Sequence, residues 1–158
     1  MKNERVEQIG ARTLCEAFEQ FAFLFPMPME QQDLADDPPT TAVHVTMSFE
    51  GPNTGRLSMM LGHTASATVA ANVLGRDEED QLVRERAEDA CREMLNIISG
   101  QFLTRYFGET DVFDLSTPSS THSDPKEWER MLNDERTTAF LLEDQPLLFQ
   151  IQLNEPAS

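Results

Sequence analysis

The chain has 158 residues, of which 39% are hydrophobic and 25% charged, and its formal net charge is −16. This length predicts one domain, residues 1–158, with a core large enough to fold without disulfides or metals. So acidic a surface repels phosphate backbones and anionic lipid, which excludes nucleic acid and membranes as expected partners. No apolar run approaches the about 20 residues of a membrane span, and the N-terminus lacks the apolar core of a secretory signal, so we expect a cytoplasmic protein.

The N-terminal segment, residues 1–25, is predicted to be a helix. Apolar residues recur at helical spacing over 3–25, and Pro26 is expected to end the helix because proline cannot continue the hydrogen-bond ladder. The next segment, 26–39, reads PMPMEQQDLADDPP. This composition predicts an acidic, proline-rich loop.

A β-hairpin and a short helix are predicted next. Residues 40–51 alternate apolar and polar side chains, which is typical of a half-buried strand, and 56–62 form its partner across the turn GPNTG. Residues 63–75 are small and rich in alanine, and the pattern predicts a helix. Gly75 closes this helix, because glycine readily takes the left-handed conformation that follows a helix.

The remainder of the chain begins with the longest predicted helix, 79–107. A short strand interrupted by a proline is predicted at 112–120, a helical turn at 128–132 and two strands within 137–154. Strands that follow one another directly favour antiparallel pairing. The fold class predicted from this order is α+β, with an antiparallel β-sheet and helices packed on one face, and with residues 40–153 as the core of the domain.

Four residues of the longest helix are not explained by local stability. At about 100° per residue, Asp89, Glu93, Asn96 and Gly100 share one stripe that faces away from the predicted core arc. Glycine in a helix costs about 1 kcal/mol relative to alanine, asparagine somewhat less, and Asp89 and Glu93 repel each other at i, i+4. A solvated helix face is the simpler interpretation. The alternative is a functional face, with Gly100 leaving room for close approach. The core arc consists of Val83, Ala87, Cys91, Met94, Leu95, Ile98, Phe102 and Tyr106.

The pattern D-x-x-x-E-x-x-N-x-x-x-G, formed by the four stripe residues, resembles the signature of the CheC/CheX/FliY family of chemotaxis phosphatases. The family pattern also has a proline just over twenty residues past the asparagine, near the place of Pro118. The order of hairpin, small-residue helix and motif helix is similar to that of CheX-like domains. Because only one E-x-x-N motif is present, the chain most resembles a stand-alone CheX-type domain, which implies a CheC/CheX-like fold.

The resemblance implies a phosphatase that removes the aspartyl phosphate of a phosphorylated CheY-like response regulator. Asn96 would orient the attacking water, since an amide both donates and accepts hydrogen bonds, and Glu93 would pair with a lysine of the partner. Asp89 and Gly100 would serve docking, the first as a charge and the second as a bare backbone. No cofactor or metal of its own is implied, because the response regulator is expected to supply Mg²⁺.

The resemblance also implies a homodimer that pairs through sheet edges, near 112–118 or at the C-terminal strands, since unpaired edges invite pairing. Two alternatives to the enzyme remain open. One is a non-catalytic module that docks on a response regulator or another signalling protein, and the other is a structural domain without a role in phosphotransfer. Segments 27–39 and 121–136 look like additions to the minimal domain, and they would either cover the motif helix or contact a different partner.

The other chemically capable residues carry weaker signals. His44, His63 and His122 lack the spacing of metal ligands, so no zinc site is expected. Cys15 and Cys91 fall at apolar positions of predicted helices and are expected to be buried free thiols. Trp128 is expected to make a satellite core contact, with a partner site as the alternative.

Overall fold

The structure, a computed structural model, describes residues 4–154. Its elements in chain order are α1 (Glu4–Ala22), β1 (Met27–Met29), a 3₁₀ helix (Gln31–Leu34), β2 (Ala42–Glu50), β3 (Thr54–Gly62), α2 (His63–Leu74), α3 (Gln81–Phe107), β4 (Asp114–Leu115), β5 (Ser119–Ser123), α4 (Pro125–Leu132), β6 (Thr137–Leu142) and β7 (Gln145–Asn154). None of the helices between residues 4 and 154 combines the length and the apolar character needed to cross a bilayer.

The seven strands form one antiparallel sheet in the order β1-β6-β7-β3-β2-β4, and β5 pairs with the same edge of β2 as β4 does. The predicted hairpin is confirmed, since β2 pairs with β3 from Ala42 opposite Gly62 to Phe49 opposite Gly55. The last strand, β7, lies inside the sheet between β6 and β3. The suggestion that the C-terminal strands offer a free edge is therefore wrong, because β1 covers the outer side of β6.

The predicted α+β class is confirmed, and the helices on the main core face are α1, α2 and α3. They pack on the residues of one sheet face, such as Val43, Met59 and Phe149. The opposite face is also partly covered. A smaller cluster joins Trp128 of α4 to Met60 and other residues that alternate with those of the main core and so point the other way. Trp128 is 1% exposed, which confirms its predicted satellite core contact.

The end of α1 differs from the prediction. The helix ends at Ala22 rather than running to the residue before Pro26. Phe23 has a left-handed φ of 53°, and the N–H of Leu24 donates to the carbonyl of Phe18 at 3.2 Å. Phe23 thus ends the helix in a left-handed conformation, at a position that glycine usually occupies. The start of the predicted helix lies outside the described residues.

The segment predicted as a loop, 26–39, contains regular structure. Met27–Met29 pairs with β6, and Leu34 of the 3₁₀ helix is buried. Local composition hid this strand because its pairing partner lies more than a hundred residues away, and because proline is tolerated at a sheet edge. The interrupted strand predicted at 112–120 proves to be two strands, β4 and β5, on either side of Pro118, and His122 lies in β5.

Candidate functional site on helix α3

Helix α3 is held firmly at both ends and along one side. Asp80 caps its start by accepting from the N–H of Leu82 at 2.9 Å. Gly108 ends it with a φ of 92° and donates to the carbonyl of Thr104 at 3.0 Å. The predicted core arc is largely buried, and Cys91 is 0% exposed. Burial raises the pKa of the Cys91 thiol to about 12, so this cysteine is a core residue and not a nucleophile.

The predicted stripe lies on the open side of the same helix. Asp89, Glu93 and Asn96 are exposed, and Gly100 is half-buried. Glu93 and Asn96 are three residues apart, which places them about 4.5 Å apart along the axis on one face. Neither side chain hydrogen bonds to another residue within 4–154. Both are therefore available to a molecule that approaches the helix from solvent.

Gly100 opens space beside the stripe. A methyl group built at its Cα would meet nothing within 4 Å, so the fold itself does not require glycine here. The helix surface continues into a cleft of about 220 Å³ that reaches β4. Its apolar wall and acidic rim consist of Gly100, Leu103, Thr104, Gly108, Glu109, Asp111, Phe113 and Leu115.

Asp89 is engaged more closely than its sequence position suggested. Its carboxylate pairs with Arg92 of the same helix, and Arg92 also donates to the hydroxyl of Ser120 on β5. Sequence reasoning weighed the repulsion between Asp89 and Glu93 and missed this arginine. The signal was present, since opposite charges at i, i+3 on a helix attract each other.

Glu88 forms a second connection between α3 and β5. It accepts from the Ser120 hydroxyl at 3.0 Å and lies 3.2 Å from Nε2 of His122. Partial burial acts to raise the pKa of the Glu88 carboxyl, but the hydrogen bonds with His122 and Ser120 and the charges of His122 and Arg92 outweigh it and lower that pKa. His122 thus has a structural partner, and within residues 4–154 no group of three or more His, Cys, Asp or Glu side chains is arranged to hold a metal.

The two added segments leave the motif face open. In segment 27–39, Met27–Met29 pairs with β6, and Gln31 donates to the carbonyls of Leu132 and Asp134 at 2.5 and 2.9 Å. Within 121–136, α4 packs on the sheet face opposite to α3. Glu93 and Asn96 consequently remain exposed.

A family model described as chemotaxis phosphatase CheX matches residues 43–140, well over half of the chain. The chain belongs to the CheX family. The matched range includes all of α3, the helix that carries Asp89, Glu93, Asn96 and Gly100. No curated protein sequence matches this CheX-family chain.

Solved structures of several relatives share the fold. A CheX from Desulfovibrio desulfuricans superposes with a TM-score of 0.70 at 16% identity, covering 95% of this chain and 99% of that one. The CheX of the CheX–CheY–BeF3–Mg complex from Borrelia burgdorferi gives 0.66 at 18% identity, covering 94% and 97%. FliY from Thermotoga maritima gives 0.59 at 14% identity, covering 93% and 85%. At these identities the likeness shows the fold, which is the predicted CheC/CheX-like one.

Proposed function

We propose that this CheX-family chain is a phosphatase for the aspartyl phosphate of a CheY-like response regulator, and that Glu93 and Asn96 carry the activity. The observation that carries the proposal is the open stripe: two polar side chains on one face of a firmly anchored helix, without partners among the described residues. A CheX of the same fold has been solved in complex with CheY and BeF3, which supports a CheY-like protein as the partner.

The chemistry asks for positioning more than for a reactive group. Aspartyl phosphate is an acyl phosphate, and water attacks its phosphorus in line while the bond to the aspartate oxygen breaks and the carboxylate leaves. Catalysis of phosphoryl transfer rests mainly on positioning and on managing charge. The Asn96 amide can accept a hydrogen bond from the water and donate one to a phosphoryl oxygen, which holds the water in line.

Glu93 is assigned to docking at the reacting centre. A free carboxylate about one helical turn from Asn96 can pair with a lysine beside the aspartyl phosphate, which fixes the register of the two proteins. Asp89 extends the acidic surface with its charge shared by Arg92, and Gly100 allows the helix to lie close. The Mg²⁺ that the reaction needs is expected on the response regulator, where it would neutralise the developing charge.

The experiment measures phosphate loss from a phosphorylated CheY-type receiver of the same cell. Asn96→Ala should return the rate to the spontaneous one while binding to the BeF3-loaded receiver persists, because the docking charges remain. Glu93→Gln should weaken both binding and turnover. Glu129→Gln, which removes an exposed carboxylate on α4 far from the stripe, is the matched control and should change neither.

The main alternative is a non-catalytic module that docks on the same partner. It would be supported if the wild-type protein binds a receiver but accelerates phosphate loss from none. If no receiver of the cell binds at all, the enzyme and the docking module are both refuted.

We also infer how the predicted homodimer would form. Because β7 is enclosed, we infer that pairing would use the predicted edge near 112–118, where β4 is the last strand of the sheet.

A further inference from the structure

An apolar strip lies on the surface just after α1. Phe23, Phe25 and Met27 are 72%, 70% and 61% exposed, whereas Leu24 is fully buried and Pro26 is buried as well. This alternation means that the chain runs extended, with one side packed against the protein and the other side facing solvent. Large exposed apolar groups that share one surface usually mark an interaction site.

The end of helix α2 widens this strip into a patch. The side-chain amide of Asn72 donates to the carbonyl of Ala22 at 2.8 Å, which holds the ends of α1 and α2 together. Val73 and Leu74, at this end of α2, are 41% and 37% exposed. We call the whole surface the apolar patch; its members are Phe21, Phe23, Phe25, Met27, Val73 and Leu74. None of them belongs to the motif stripe.

The backbone conformation of Phe23 indicates that the fold does not require a phenylalanine at this position. Its φ of 53° lies in the left-handed region, which a bulky side chain rarely adopts and where glycine or asparagine fits without penalty. The side chain gains nothing from burial, because it is mostly exposed. A large aromatic group held outwards under strain is better explained by contact with another molecule.

The margin of the patch is acidic. Residues 20–29 contain no charged side chain, but Glu19 and Glu30 flank this segment and Asp77 and Glu79 follow α2, all of them exposed. Arg76, the cation of this region, is paired with Asp80 at 3.1 Å. A second copy of the chain or an anionic membrane would bring negative charge against this margin. A partner surface that complements the patch is therefore apolar and bordered by positive charge.

We propose that the apolar patch is a second docking face, and that it binds an amphipathic helix of a partner protein whose apolar stripe is bordered by lysine or arginine. The strip from Phe23 to Met27 spans about 13 Å, close to the about 10.5 Å between helix anchors at i and i+7. Strand addition suits this surface less well, because β1 has only three residues and Pro28 at its centre lacks an N–H.

The test uses a labelled model peptide and the full chain. The probe is a fluorescein-labelled amphipathic helix of leucine and lysine, about five turns long, and its control is a peptide of the same composition scrambled so that no apolar face forms. Fluorescence anisotropy should show binding of the ordered peptide and much weaker binding of the scrambled one. The double variant Phe23→Asn with Phe25→Ser should weaken binding of the ordered peptide at least tenfold.

Two controls separate this result from unfolding and from a general loss of apolar surface. Asparagine takes the left-handed conformation more readily than phenylalanine, so the melting temperature of the double variant should not fall. Val112→Ser removes another exposed apolar residue, 79% exposed and outside the patch, and should leave peptide binding unchanged.

Several outcomes would overturn the proposal. One is equal binding of the ordered and scrambled peptides, which would indicate attraction by charge alone. Another is equal loss of binding in Val112→Ser. If light scattering shows a wild-type dimer that the double variant abolishes, a second copy is the occupant instead. If the wild type, but not the double variant, partitions onto neutral phosphatidylcholine vesicles, the occupant is a membrane.

Discussion

Gly100 is a residue whose presence the fold does not explain. The space beside it is open, so a side chain there would disturb nothing that the structure contains. Glycine in the interior of a helix is nevertheless destabilising, because it leaves more conformational freedom to the unfolded chain. The fold therefore does not explain Gly100, whereas the proposed docking of a partner close to the helix backbone would.

We expect Gly100→Ala to raise the free energy of unfolding by about 1 kcal/mol, the helix-propensity difference, while it weakens binding to the phosphorylated receiver. Chemical denaturation measures the first effect and titration with a BeF3-loaded receiver measures the second. A stabilised variant with unchanged receiver affinity and turnover would remove Gly100 from the docking face.

At the scale of elements, the important contact is the one between α3 and β5. Arg92 and Glu88 both reach Ser120, and Glu88 also meets His122, so the motif helix is attached to the edge of the sheet beside Asp89. These side chains position the stripe but take no part in the proposed reaction. The strength of the contacts that Glu88 makes should depend on pH, because these contacts favour its carboxylate form.

The lowered pKa of Glu88 fixes the sign of that dependence. The carboxyl ionises more easily in the folded chain than at its ordinary pKa of 4.5, so its contribution to stability is complete above pH 4.5 and is lost as the pH falls through the folded value. Glu88→Gln should therefore lower the melting temperature near neutral pH, and the difference from the wild type should shrink on acidification below 4.5. Glu19→Gln, an exposed glutamate on α1, is the control; a difference that grows in acid would contradict this assignment.

Sequence predicted the elements whose determinants are local. The stripe on α3 follows from helix geometry alone, and the hairpin follows from alternation and a turn-rich sequence. The contact between Arg92 and Ser120 joins residues 28 apart, and no periodicity reports such a pairing. Strand β1 was missed for the same reason, and the end of α1 was misplaced because Phe23 takes a conformation that its residue type disfavours. The sequence could not predict contacts between elements that lie far apart in the chain.

At the scale of the whole molecule, the sheet is packed on both faces. The main core lies under α1, α2 and α3, and the smaller cluster lies under α4 on the other side. The two share strands β2, β3, β6 and β7, whose residues alternate between them. Because the same four strands carry both clusters, loss of the sheet would disrupt both. We therefore expect the two clusters to unfold together.

The single tryptophan gives a direct measurement of this coupling. Trp128 belongs to the smaller cluster, so its fluorescence follows that face, while far-UV circular dichroism follows all helices and strands. The two signals should give one urea midpoint. Leu132→Ala, at a residue 3% exposed, should lower the free energy of unfolding by about 2–5 kcal/mol and move both midpoints equally. A fluorescence midpoint that falls alone would show that α4 unfolds independently.

The interior position of β7 in the sheet determines the order in which the strands can pair during folding. Strand β3 pairs with β7 from Thr54 opposite Asn154 to Leu61 opposite Leu147, so the two halves of the hydrogen-bond ladder lie far apart in the chain. During synthesis, β2 and β3 can form their hairpin early, but the sheet stays open beside β3 until β7 has left the ribosome. Such non-local pairing slows folding and leaves an unsatisfied strand edge exposed for longer. The charge of −16 has a second benefit here, since nascent chains that repel one another are less prone to pair through that edge before their own last strand arrives.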